Sequence, residues 1–292
     1  MGKKQKKEER ILIGDSSKAA EKKKKKKKAG HVIGDIFSAF ILIAALAVMA
    51  VAGYKLYDIF SEYKAGTDEY ASIADTVVTE RDAEEEEIEK LDPATGETVK
   101  HWTAPIEIDF NELKSINDDV VGWIYMEALP EINYPIVHGE DNDYYLHRTY
   151  KKEDNFAGTI FIDSSNSPDF SDQNTIVYGH NMKNGSMFGK LKYYQKQETI
   201  DKSKYFWILT PEEDYKYEIF AVYVANVSGD TYTLIKGPGQ ETIDYGNAMQ
   251  NKSLLDLEKR DFIETDKIVT LSTCTGNTST RFVVQGVRVY PE

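Results

Sequence analysis

Short apolar stretches rich in Val, Ile, Tyr, Phe and Trp recur through residues 106–292, each bounded by Gly, Pro, Asn or Asp. They predict strands at 120–126, 133–137, 158–163, 175–178, 205–209, 215–227, 267–273 and 281–290. About eight strands with few helices predict a mainly β body, a closed or nearly closed β-barrel. Asp109-Phe-Asn-Glu112 has capping-box spacing and predicts a short helix through Ile116. Met249, Leu254 and Leu257 predict a second helix over 243–260, inserted between two late strands. No internal repeat of fixed period is visible.

The pattern before residue 106 is different. Residues 36–54 form an apolar run without a charge, broken only by Ser38 and Gly53. As a helix it spans about 28 Å, close to the thickness of a bilayer's hydrocarbon core. A buried core helix would show a polar face, and none is present. A signal peptide is the other alternative, because Ala50-Val51-Ala52 has the small-x-small form of a cleavage site. The length of the run, and the lack of a polar segment before those small residues, favour an uncleaved transmembrane anchor. Leu56, Ile59, Phe60 and Tyr63 then recur at helical spacing, predicting an amphipathic continuation over 55–75. Residues 79–100 crowd Glu80, Asp82, Glu84, Glu85, Glu86, Glu87, Glu89 and Asp92 before Pro93 and Gly96, and predict a solvated spacer. The expected organisation is a basic tail (1–35), an anchor (36–54), a helical stalk with an acidic linker (55–105) and a β-barrel body (106–292).

Charge sharpens this division. The net charge of −13 hides a split: residues 1–30 hold 13 basic residues against four acidic ones, a net of +9, which leaves −22 on the rest. The acidic body lacks the basic footprint of a nucleic-acid-binding domain. The basic run at 22–28 fits the positive-inside rule, which keeps the N-terminus cytoplasmic and the body outside the membrane. It also predicts contact with anionic membrane lipid.

The chain has one cysteine, Cys274, so an intramolecular disulfide is excluded. Cys274 ends the apolar strand Ile268-Val-Thr-Leu-Ser-Thr-Cys274. Strand alternation puts Thr270, Ser272 and Cys274 on one face and Val269, Leu271 and Thr273 on the other, which looks more core-like. An inert buried thiol and a reactive one both remain open at this point; position at a strand end before a polar loop, outside the membrane, favours the reactive one. Six residues, 275–280, separate Cys274 from Arg281, which opens the next strand. So short a loop predicts an antiparallel pair with Arg281 opposite Cys274. A guanidinium there favours thiolate and offers donors to an oxyanion, though a surface Arg at a strand end is the commoner case. His180 ends the strand Thr175-Ile-Val-Tyr-Gly-His180 and is the side chain best matched to protonating a leaving group near neutral pH; the alternative is a plain loop residue. The histidines form no metal-ligand pair, and no phosphate loop or Gly-x-Ser-x-Gly elbow is present, so neither metal nor cofactor is expected.

The motifs Tyr178-Gly-His-Asn181, Gly185-Ser-Met-Phe188, Thr270-Leu-Ser-Thr-Cys274 and Arg281-Phe-Val-Val284, in this order, closely resemble those of the sortases of Gram-positive bacteria. Asp119-Val-Val-Gly-Trp-Ile124, Tyr144-Tyr-Leu146 and the helix expected before the Cys strand resemble class B. The resemblance covers roughly residues 106–292. It implies a closed eight-stranded sortase-type β-barrel with peripheral helices. It implies Cys274 as nucleophile, His180 as general acid and base, and Arg281 as stabiliser of substrate and oxyanion, with Ser272 and Thr273 near the substrate. The implied partners are surface proteins with a C-terminal sorting signal and an acceptor amine, from peptidoglycan or from a pilin Lys. A hydrolytic cysteine protease and an anchored binding domain with a vestigial Cys are the competing readings.

Overall fold

The computed structural model describes residues 2–81, 87–91 and 98–291. Two compact units divide the chain, residues 1–61 and 62–292. The first is helical, the beginning of helix α1 (Gly2–Val77), with a mean hydropathy of 2.6 in its most apolar window. Phe37, Phe40, Leu42 and Leu46 on it are exposed, so no protein surface accounts for their apolar character.

In the second unit α1 presents a buried face. Tyr70, Ile73 and Val77 are buried, and Tyr63 packs edge-on to Phe156 at 4.5 Å. The helix expected over 55–75 is present, but Leu56, Ile59 and Phe60 stay exposed; the apolar stripe that finds a partner begins at Tyr63. Strand β1 (Val78–Glu80) follows, then β2 (Glu87–Leu91) and β3 (Thr98–Trp102), which pair as an antiparallel hairpin within the expected linker. The acidic residues at 82–86 and 92 lie outside the described residues. Trp102 closes the hairpin onto the body by donating its indole N–H to the Val289 carbonyl at 2.8 Å.

Strand β4 (Ile106–Ile108) pairs with β1, and helix α2 (Phe110–Ile116) begins as its capping spacing predicts, with the Asp109 carboxylate accepting the Glu112 N–H at 3.0 Å. The barrel strands follow: β5 (Val120–Met126), β6 (Asn133–His138), β7 (Ile160–Ile162) and β8 (Asn174–Tyr178). After a short helix α3 (Gln197–Ile200) come β9 (Tyr205–Leu209) and β10 (Asp214–Asn226). Helix α4 (Gln240–Gln250) separates these from β11 (Ile268–Cys274) and β12 (Thr280–Val289). The eight strands close in the order β10-β12-β11-β8-β7-β6-β5-β9. β6 with β7 and β8 with β11 are parallel pairs; the remaining neighbours are antiparallel.

Two apolar clusters share β11 and β12 between them. Val269, Leu271, Phe282 and Val284 join the main core, whereas Ile268, Val283 and Val287 pack beneath α4 with Tyr245 and Met249. Both faces of β11 are therefore covered, and Thr270 and Ser272, expected on the less apolar face, are as buried as Leu271. Thr270 tolerates this because it is bonded: its hydroxyl donates to Asn174 Oδ1 at 2.8 Å and accepts from Gln285 Nε2 at 2.8 Å. The Tyr245 hydroxyl joins in, accepting from Gln285 Nε2 at 2.7 Å and donating to the Thr231 carbonyl at 2.7 Å. Helix α4 ends at Gln250 rather than near residue 260. The edge of β10 claims the chain instead: Leu254 N–H donates to the Val222 carbonyl at 2.7 Å, and Leu254 is exposed.

Tyr245→Phe removes the hydroxyl that joins α4 to this network and strands buried donors. It is expected to lower stability by about 1–3 kcal/mol, read as a lower denaturation midpoint at unchanged slope.

Candidate active site

The end of β11 and the start of β12 build one half of the site. Their antiparallel register pairs Cys274 with Arg281, as the short connecting loop predicts. Cys274 is exposed, while Ser272 and Thr273 just before it are 1% and 3% exposed. The thiol thus stands where a packed strand emerges into solvent. Arg281 Nη1 donates to the carbonyls of Thr278 and Thr280 at 3.2 and 3.0 Å. These bonds curl the loop around the guanidinium and fix its plane, and its other N–H groups make no hydrogen bond among the described residues.

The other half comes from the end of β8. This strand runs parallel to β11, with Tyr178 beside Ser272, and the pairing continues past the last strand residue. Gly179 N–H donates to the Ser272 carbonyl at 3.2 Å and Thr273 Oγ1 donates to the Gly179 carbonyl at 2.7 Å. Asn181 Nδ2 donates to the Cys274 carbonyl at 2.7 Å. Residues on both sides of His180 are thereby tied to the last three residues of the Cys strand. Gly179 is required here: a Cβ would stand 2.5 Å from Ile160 Cδ1 and 2.6 Å from the Phe188 ring.

The His180 ring is oriented by a backbone acceptor. Its Nε2 lies 2.8 Å from the Leu146 carbonyl, which can only accept, so Nε2 carries the proton and Nδ1 is left for chemistry. Burial of the ring lowers its pKa below 6.5; the bond to Leu146 opposes that shift, and the nearby His147 adds to it. The neutral ring therefore contributes stability that is present above pH 6.5 and lost as the pH falls through the folded-state pKa.

Cys274, His180 and Arg281 share one cavity of about 270 Å³ with Ser272, Thr273, Tyr178, Leu146 and Asn142. The expected substrate neighbours differ in what they have left to offer. The Thr273 hydroxyl is spent on Gly179, while Ser272 Oγ bonds the Tyr232 hydroxyl at 2.9 Å. Tyr232 stacks on Tyr178, with ring centroids 6.4 Å apart. Burial raises the Tyr232 pKa, and the Ser272 bond and the Arg281 charge oppose this. Sequence reasoning had no signal for Tyr232, which sits in a 3-10 turn (Asp230–Tyr232) 40 residues before Ser272 in the chain. Leu146 and Asn181 were visible only as letters of motifs. Among the described residues no group of three or more His, Cys, Asp or Glu side chains could hold a metal.

A sortase-domain family model matches residues 124–289. Over 168 residues the chain is 39% identical to sortase B of Listeria monocytogenes, covering 57% of this chain and 67% of that protein. It is 26% identical to sortase B of Staphylococcus aureus over 238 residues, 82% of this chain and 89% of that one. Among solved structures it resembles sortase B from Bacillus anthracis with a TM-score of 0.63 at 33% identity, covering 80% of this chain and 100% of that one. A Staphylococcus aureus sortase B–substrate complex aligns with a TM-score of 0.58 at 28% identity, over 63% of this chain and 85% of that one.

Two outcomes follow from the geometry. His180 is expected to titrate below 6.5 in an NMR pH titration of its ring carbons. Gly179→Ala is expected to cost about 1–3 kcal/mol by overpacking against Phe188 and to shift the His180 ring signals, whereas a substitution on the exposed face of α2 leaves them in place.

Proposed function

The chain belongs to the sortase family, cysteine transpeptidases that sort surface proteins, and from that premise we propose that Cys274, His180 and Arg281 carry the reaction. The observation that supports this most is the shared strand end: Cys274 faces Arg281 in register, and the neighbours of His180 are bonded to residues 272–274.

In the reactive fraction Cys274 is a thiolate that has lost its proton to solvent beside Arg281, and His180 is an imidazolium with a proton on Nδ1; the thiolate attacks the carbonyl of the Thr in a C-terminal sorting motif. Arg281 and backbone N–H groups hold the oxyanion. The C–N bond breaks as the Nδ1–H proton moves to the departing amine, and a thioacyl-enzyme remains. Nε2 keeps its proton throughout, on the Leu146 carbonyl. An acceptor amine then loses its proton to Nδ1 as it attacks the thioester, releasing the Cys274 thiolate and the joined product. Burial of His180 makes its imidazolium form scarcer at neutral pH, so only a minor fraction of enzyme is poised to react at any moment.

The acceptor in this reading is a peptidoglycan amine, and the donor is a surface protein with a motif beginning Asn-Pro or Ser-Pro. Ser272 and Thr273 form the wall against which that motif lies, Thr273 by holding the Gly179 backbone. The apolar segment 36–54 anchors the enzyme uncleaved, with the basic tail on the cytoplasmic side against anionic lipid and the catalytic body outside. Both substrates then meet the enzyme at the outer membrane face.

An assay with a sorting-motif peptide and an added amine tests this. Peptide joined to the amine is expected. Hydrolysed peptide alone, even at high amine, would establish a protease instead. Cys274→Ala is expected to abolish turnover, and Arg281→Lys to reduce kcat/KM by roughly 10²-fold, since a point ammonium does not replace the planar fork. Intact-mass measurement of the membrane-extracted protein is expected to show residues 1–52 retained; a chain starting at Gly53 would overturn the anchor.

A further inference from the structure

His180 is supported at its ring and at its backbone, and both supports lead to one residue of α1. At the ring, the Leu146 carbonyl belongs to a 3-10 turn (Tyr144–Leu146). The turn and the two residues after it are bonded by the segment 155–159: Thr159 N–H donates to the Tyr145 carbonyl at 2.9 Å, Asn155 N–H to His147 at 2.9 Å, and Thr159 Oγ1 to Arg148 at 2.7 Å. Gly158 within this segment has φ 58°, and a Cβ there would lie 2.7 Å from both the Tyr145 and the Leu146 carbonyl oxygens. The segment is thus pressed against the carbonyl that orients His180.

Helix α1 holds this segment from its other side. The Tyr70 hydroxyl donates to the Gly158 carbonyl at 2.6 Å and lies 3.1 Å from Thr159 Oγ1. Glu62 secures the same segment by accepting the Phe156 N–H at 3.0 Å. The backbone support runs through the loop after β8. Phe188 N–H donates to the His180 carbonyl at 3.0 Å, and Met187 N–H donates to the Tyr134 hydroxyl at 3.1 Å. The Tyr134 ring meets Tyr70 edge-on at 5.5 Å. Tyr70 itself is 4% exposed. A Phe would fill the same space; what the hydroxyl adds is direction, toward Gly158 and Thr159.

We propose that Tyr70 is a positioning residue for His180, acting through Gly158, Thr159 and the Leu146 carbonyl, and that helix residues 62–77 are thereby part of the catalytic apparatus. The proposal rests on His180 as the proton donor to the departing amine. A misplaced donor slows only a leaving group that needs the proton, which separates positioning from general loosening of the fold.

The experiment uses the full chain in detergent micelles and follows single-turnover acylation at saturating peptide. One substrate is an Asn-Pro-Xaa-Thr or Ser-Pro-Xaa-Thr peptide with its scissile amide. The other is its phenyl-ester analogue, whose phenolate leaves without a proton. Tyr70→Phe is expected to slow amide acylation about tenfold, a fraction of the full general-acid effect, and to leave ester acylation within about twofold of the parent. Thr159→Val provides the same contrast should Tyr70→Phe fold poorly, and Thr159→Ser, which keeps the hydroxyl, is expected to restore the amide rate. An equal loss on both substrates, or a loss on neither, overturns the proposal. His180→Ala tells the two levels apart. If it acylates on the amide as fast as the parent, the proton-donor reading itself fails; if it is slow there while Tyr70→Phe is not, only the role of Tyr70 fails.

Discussion

The site depends on a clasp between two parallel strand ends. Three hydrogen bonds, from Gly179, Thr273 and Asn181, join residues 179–181 to residues 272–274. Without them the contact between β8 and β11 would stop at Tyr178, where the strand pairing ends, and His180 would begin a free loop. With them, the residue before His180 and the residue after it are both referred to the strand that carries the thiol. One donor is a Thr hydroxyl and another an Asn amide, so the clasp persists where the regular ladder of backbone bonds has run out. It also explains the packing around Gly179: the chain passes so close to Ile160 and Phe188 that no side chain fits. A side chain placed by strand pairing is held more firmly than one placed on a mobile loop.

Electrostatics then divides labour between the two halves. On the β11–β12 side the thiol is exposed and a guanidinium stands opposite, an environment open to substrate and tolerant of negative charge. On the β8 side the imidazole is buried and bonded to a carbonyl, an environment that favours the neutral ring. The same carbonyl bond that resists the loss of basicity also settles which nitrogen is free. Orientation and proton affinity are therefore set by one contact, and its geometry belongs to a turn 34 residues earlier in the chain.

Much of this was legible in the sequence, for reasons of locality. The eight barrel strands are bounded by turn residues and rich in β-branched and aromatic side chains, and each is found within about two residues of its expected place. The opposition of Cys274 and Arg281 followed from a short loop. The place of His180 did not, since it depends on a parallel pairing between segments more than 90 residues apart, and only the family resemblance linked them. The burial of Thr270 and Ser272 was hidden because a helix covers the second face of β11, and polar residues on a covered face read as exposed until their partners are known. The end of α4 was hidden likewise: Leu254 continues a helical spacing, but the backbone of β10 competes for its N–H.

Those hidden partners have a consequence for register. Asn174, Thr270 and Gln285 come from β8, β11 and β12, three adjacent strands of the barrel, and bond to one another in a row beneath Tyr245. Thr270 lies four residues before Cys274, Gln285 four after Arg281, and Asn174 six before His180. A slip of one residue in any of the three strands would turn its site residue, His180, Cys274 or Arg281, to the opposite face. Apolar packing resists such a slip only weakly when both faces of a strand are apolar, because Val and Leu fit either way. A buried row of amides and hydroxyls does not: out of register, each leaves an unpaired donor or acceptor in the core, at about 1–3 kcal/mol apiece. The polar row at mid-strand thus holds in alignment three strand ends that apolar contacts alone would leave free to shift.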